Sequence, residues 1–171
     1  RLDGEPVYKY HPLFRDFLQR EARHGHSRDQ VRGLQQAAAE LLEEAGQIED
    51  AVALLEAAGA TQELLRLVLA QAPTLMAQGR TQTLEGWLQR LPSSMREQAP
   101  WALFWLGACT CVINPDQGQR ILEQAFDGFA AQTDHAGRLG PSCAMVESMM
   151  GSWGNMPGLE RWADRLREII A

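Results

Sequence analysis

Few residues in this chain have the type and spacing to do chemistry. His24 and His26 stand two apart around Gly25, a spacing open to two ligands of a surface metal. In a polar turn between helical stretches they read more simply as solvated side chains. Cys109 and Cys111 are also two apart, which on a helix sends them to different sides. They chelate poorly together and read as small buried hydrophobes. Glu40, Glu43, Glu44, Glu49 and Asp50 form an acidic cluster, read as a solvated face, with a partner patch as the sharper alternative. The chain contains no G-x-x-x-x-G-K-S/T loop to cradle phosphate, no H-E-x-x-H, no C-x-x-C and no G-x-S-x-G. Local spacing assembles no nucleophile with its base, so the expectation is a non-catalytic chain with no catalytic residue, no metal and no cofactor of its own.

The aromatic residues are the other candidates. Trp101, Phe104, Trp105, Trp153 and Trp162 sit at helical spacings, and most of them are expected in the core. Stacked helical hairpins curve and bind on their concave side. On that ground the lining near Trp105, Trp153 and Arg138 is the candidate ligand or partner surface, a location without a chemistry attached.

Composition narrows the class. The chain has 171 residues, 45% of them hydrophobic and 22% charged, enough for a medium core of ordinary globular type. A formal net charge of -6 leaves no basic footprint for DNA or RNA, so nucleic acid is expected only through another domain. Three cysteines, Cys109, Cys111 and Cys143, in apolar helical settings suggest reduced thiols in a cytoplasmic protein. No apolar run approaches the ~20 residues a membrane helix needs, so no membrane partner is expected. The chain opens RLDGEPVYKY without Met and closes REIIA in mid-helix, which reads as an excerpt of something larger.

The elements that must position these groups read as helices. Leu34 to Gly59 folds back on itself at Gly46. Its first half puts Leu34, Ala38, Leu41, Leu42 and Ala45 on one face, and its second half Ile48, Ala51, Val52, Leu55 and Ala58. A short connection forces antiparallel packing, and small alanines let the backbones approach. Ser27 and Gln30 form a capping box ahead of it. A third helix starts at Thr61 with Leu64, Leu65, Val68, Leu69 and Ala72 as its stripe, and Pro73 is expected to kink or restart it. Thr81 or Thr83 caps a helix through Leu84, Trp87, Leu88 and Leu91. Ser93 to Ala99 reads as a linker-like turn with a second capping box at Ser94 and Glu97. Pro100 then opens Trp101 to Ile113, apolar almost all round and so a buried central helix. Gln117 to Gln132 is its partner, burying Ile121, Leu122, Ala125, Phe126 and Phe129. A last pair runs Leu139 to Trp153 and onward from Leu159, with Leu159, Trp162, Ala163, Leu166 and Ile170 as its stripe. Outside these, PVYKY is a short strand or wing before a helix that starts at His11-Pro12.

The expected fold is therefore all-α: antiparallel helical hairpins of tetratricopeptide type, stacked as an α-solenoid, with a short extended N-terminal piece. The phrase YHPLFRDFL, Tyr10 to Leu18, resembles the end of the winged-helix module in STAND-class signalling ATPases, in particular the MalT-like and LuxR-type large bacterial transcription regulators. In that family a helical sensor follows this phrase, and here AAELLEEAGQIEDAVALLEAAGA comes next. WLQRLP, Trp87 to Pro92, looks like the phrase that family carries at the start of its superhelical region. The resemblance divides the chain into 1–25, the end of the winged helix; 26–92, the first hairpins of the arm; and 93–171, the start of the sensor. It implies that His11 senses the phosphate end of a nucleotide in the parent protein, where ATP or ADP with Mg would bind an upstream ATPase module of the same chain. It also implies an inducer or regulatory protein as partner, self-association on activation, and DNA binding by another domain. A plain tetratricopeptide-like adaptor for a peptide or partner protein is the alternative.

Overall fold

The computed structural model describes Leu13, residues 25–150 and residues 156–170. The expectations for PVYKY, His11, His24 and Trp153 fall outside these residues. The described elements are all helices: α1 (Arg28–Glu44), α2 (Ile48–Ala58), α3 (Thr61–Ala77), α4 (Thr81–Arg90), α5 (Ser93–Gln98), α6 (Pro100–Cys111), α7 (Pro115–Ala131), α8 (Leu139–Met150) and α9 (Met156–Ile170). They fall into two compact units, Arg1–Ala60 and Thr61–Ala171.

In the first unit α1 packs on α2 as a hairpin. Ser27 accepts from the Gln30 backbone at 3.2 Å while the Gln30 side chain accepts from the Ser27 N–H at 2.9 Å, the reciprocal capping box. At the other end Gly46, at φ +71°, donates to Glu43 O, and Gln47 donates to Leu42 O at 2.8 Å. This pair of bonds is the Schellman ending, and it needs the left-handed backbone that glycine adopts without strain.

The face that α1 buries is not the one its leucines suggest. Leu34 and Leu41 are 60% and 66% exposed, Ala45 is exposed, and the fully buried residue of the helix is Ala39. The physical reason is spacing: Val31, Gln35, Ala39 and Leu42 also recur at three- and four-residue steps, and this smaller, more polar row lets the backbones close. The α2 stripe is as expected, with Ala51, Val52 and Leu55 buried.

The second unit is three hairpins: α3 with α4, α6 with α7, and α8 with α9. Helix α6 is the hub, touching α3, α4, α5, α7 and α8. Pro73 neither breaks nor restarts α3, which runs through it with Leu64, Leu67, Val68, Ala72 and Leu75 buried. Arg80, rather than either threonine, is the residue before the first turn of α4. Ser93 to Gln98 is a helical turn and not a linker, and its Ser94–Glu97 box does not form, because Pro92 takes the capping position. Arg96 instead donates to Leu88 O at 3.2 Å and Leu91 O at 3.4 Å, adding a side-chain donor to the carbonyls at the end of α4.

The tightest crossing is α6 on α7. A Cβ on Gly107 would lie 2.9 Å from Leu122 Cγ and 3.0 Å from the Leu122 backbone nitrogen. A Cβ on Gly118 would lie 2.7 Å from Cys111 Cα, in backbone rather than in a movable side chain. Only glycine admits such approach. Both helices are deeply buried around this crossing: Ala102, Leu103, Leu106 and Cys109 on α6, and Leu122, Ala125, Phe126 and Phe129 on α7. Helix α6 ends earlier than its apolar run, and Val112 and Ile113 are exposed at 66% and 68%. Ile170 is likewise exposed, and it is Ile169 that packs on the core of Leu122, Phe126, Met145, Met149 and Trp162.

Candidate functional site

Helices α7, α8 and α9 bring two guanidiniums onto one aromatic ring. Phe126 lies three turns into α7 and is 6% exposed. Trp162, fully buried on α9, meets it edge to face, with centroids 5.1 Å apart at 87°. The Arg138 guanidinium stands over the Phe126 ring at 4.8 Å from its centroid. Arg165, one turn beyond Trp162, stands 5.1 Å from the same centroid and 4.5 Å from the Trp162 ring. Stacking a weakly hydrated guanidinium on an aromatic face is favourable, and more so where the ring is dry.

Local structure explains how Arg138 reaches this place. At the end of α7, Thr133 adopts φ 55°, donating its N–H to Ala130 O while Asp134 donates to Phe129 O at 2.9 Å. The chain therefore turns as at Gly46, with a threonine where glycine would be relaxed. The Gly137 N–H donates to Asp134 Oδ1 at 2.8 Å, and a Cβ on Gly137 would meet the Phe129 ring at 2.6 Å. This closes the loop down onto α7. Arg138 stands just before α8, and its carbonyl accepts from the Ser142 N–H at 3.3 Å and the Ser142 hydroxyl at 2.8 Å. Ser142, fully buried, is satisfied by that bond.

Hydrogen bonding at the two arginines is incomplete. Arg138 Nε and Arg165 Nη1 are both shielded from solvent without a hydrogen-bond partner. Glu123 Oε1 lies 3.9 Å from Arg165 Nη1, an ion-pair distance but too long for a hydrogen bond. A cleft of about 230 Å³, which neither arginine lines, shares Glu123 and Trp162 with this cluster and is lined also by Asp116 and Arg120 from α7, Met145 and Met149 from α8, and Arg161 from α9. In the first unit a larger open hollow of about 510 Å³ lies along His26, Arg28, Arg32 and Gln35, with Ala57 and Ala58 opposite.

Of the residues singled out from the sequence, Arg138 stands at the ring cluster. Trp105 is half-buried and leans on Phe104, centroids 4.6 Å apart at 52°. His11 and Trp153 lie outside the described residues. Phe126, Glu123 and Arg165 were not singled out as site residues. A hint was available in Trp162 and Arg165, three apart and so on one side of a helix, but nothing local says which ring they meet.

The cysteines divide by position. Cys109 is buried, its Sγ 3.6 Å from Met76 Sδ, and burial with the Glu85 charge pushes its thiol up to about 12. Cys111 is half-buried and also raised, mainly by burial, with the Ser148 hydroxyl acting the other way. Both are inert as thiolates at neutral pH. Cys143, expected in an apolar setting, is exposed. Among the described residues no three His, Cys, Asp or Glu side chains gather to hold a metal ion, and no helix is long and apolar enough to cross a membrane. Compared with known proteins, the chain matches no family model, no curated protein and no solved structure.

Proposed function

We propose that the chain is the non-catalytic sensing and interaction part of a cytoplasmic, ATP-dependent bacterial transcription regulator of MalT-like, LuxR-type organisation. Its tetratricopeptide-like hairpins would form the arm and the start of a solenoid sensor. The observation that carries this reading is one of order: the phrase Tyr10 to Leu18 is followed directly by a run of antiparallel hairpins. An inducer or regulatory protein binding the helices shifts the parent toward a form that exchanges nucleotide and self-associates, provided that it binds the two forms with different affinity. His11 donates to the phosphate end of nucleotide held by the upstream ATPase module, as imidazole can. DNA is contacted by another domain.

The test begins with the reading frame around this segment. A phosphate-binding loop upstream and a DNA-binding domain elsewhere in the frame are expected; a frame with neither defeats the proposal and leaves the adaptor reading. In the whole protein, His11→Ala is expected to speed release of bound nucleotide, measured with a fluorescent analogue. An unchanged release rate removes His11 from the mechanism.

A further inference from the structure

The cleft between α7, α8 and α9 is lined by charges that do not neutralise one another. Asp116 and Arg120 stand one turn apart on α7, with the acid N-terminal to the base, the order that favours pairing on a helix. Arg161 lines the same cleft from α9. Among the described residues none of these three forms an ion pair or a side-chain hydrogen bond. Glu123, the fourth charged residue of the lining, already stands 3.9 Å from Arg165 and is left out of the count. Two positive groups and one negative group, all exposed, therefore border a space of about 230 Å³. That is below the ~300 Å³ at which drug-sized pockets begin. Its other walls are fixed: Met145, Met149 and Trp162 are buried, and Gln119 is tied to Ser148 at 3.1 Å. A dry wall of this kind concentrates the field of the charges beside it.

We infer that this cleft binds an acidic amino acid, with its ammonium at Asp116 and its two carboxylates one each at Arg120 and Arg161. A plain dicarboxylate leaves Asp116 as a repelling group, and a neutral amino acid leaves one guanidinium without an anion. The acidic amino acid answers all three charges. Guanidinium suits the role because its planar fork meets a carboxylate through two parallel N–H bonds. With the methionines and the tryptophan buried, little apolar surface is on offer, which favours a short polar ligand over one with an aromatic body. The inference deepens the sensing proposal by giving the class of small molecule sensed, and rests on it only for that role. The two fail separately. Binding here in a protein with no ATPase upstream sinks the sensing proposal and leaves the site; an ATPase upstream with no binding here does the reverse.

Methionine methyl resonances of the intact 171-residue chain report on the cleft, because Met145 and Met149 line it while Met76 lies on α3. L-glutamate is titrated to about 10 mM at low salt, since contacts between exposed charges are weak and screened. Glutamine, which lacks the second carboxylate, and glutarate, which lacks the ammonium, are the parallel arms. The Met145 and Met149 methyls are expected to shift saturably with glutamate while Met76 stays in place. Glutamine and glutarate are each expected to bind about fivefold more weakly, the size of one exposed ion pair. Arg120→Gln and Arg161→Gln are each expected to weaken glutamate binding by about the same factor. Asp116→Asn is expected to weaken glutamate likewise and to leave glutarate binding no weaker. All three side chains are exposed, so the variants keep the fold. The absence of a saturable shift at Met145 and Met149 overturns the inference. So does equal binding of glutamine or glutarate, or an Asp116→Asn loss shared equally by glutamate and glutarate.

Discussion

Helices α1 and α7 are both 17 residues long, and each is polar along one side, yet α1 fully buries one residue and α7 buries five. Helix α7 lies between α6 and α8 and presents leucine, alanine and two phenylalanines to them. Helix α1 packs on α2 through a narrow row around Ala39 and holds Leu34 and Leu41 out. An apolar stripe, then, shows what a helix can bury; the number of helices around it decides what it does bury. The same contrast separates the functional features. The ring cluster needs three helices and forms where they meet, whereas the α1–α2 hairpin offers an open polar hollow.

Six substitutions sharpen or break this comparison. Trp162→Ala removes the largest side chain fully buried among the described residues and is expected to cost about 3–5 kcal/mol in urea unfolding; a loss near zero would mean that α9 is not part of the core. Gly118→Ala forces a Cβ into the Cys111 backbone and is expected to cost about 3 kcal/mol, because backbone cannot rotate aside as a side chain can. Ala51→Trp overfills a position with no exposure at the α2 crossing, for about 1–3 kcal/mol. An unchanged melting temperature there would show that the hairpin packs on another face. Thr133→Gly is expected to stabilise by about 1 kcal/mol by relieving the left-handed threonine, seen as a higher urea midpoint at constant slope. Last, Leu34→Gln with Leu41→Gln should each change stability by no more than about 0.5 kcal/mol. A large loss from that pair would erase the distinction between α1 and α7.

Much of the helical plan was legible. Gly46 and Gly59 mark helix ends by sequence, and both have positive φ in the fold. Ser27 and Gln30 announce a capping box that forms. Leu84, Trp87, Leu88 and Leu91 recur at helical steps and are all buried. These features depend on residues within one turn of each other, so the local chain suffices. Ser94 and Glu97 have the capping-box pattern too, and here local reading fails, since Pro92 and Arg96 manage the end of α4 in a different way.

The candidate site was legible only as far as Arg138. Phe126 had every mark of a core residue and is one, while no sequence pattern set Arg165 apart. Their shared role arises because the Thr133–Gly137 turn folds down on Phe129 and delivers Arg138 to a ring on the preceding helix. The sequence by itself settled that the chain is helical, where most helices end, and which residues are apolar enough to be buried, because periodicity, glycine and proline act over a few residues. Only the tertiary structure decided which stripe α1 buries, where backbones touch at Gly107 and Gly118, and which arginines share a ring. Those outcomes depend on distances between helices, which no spacing along one helix contains.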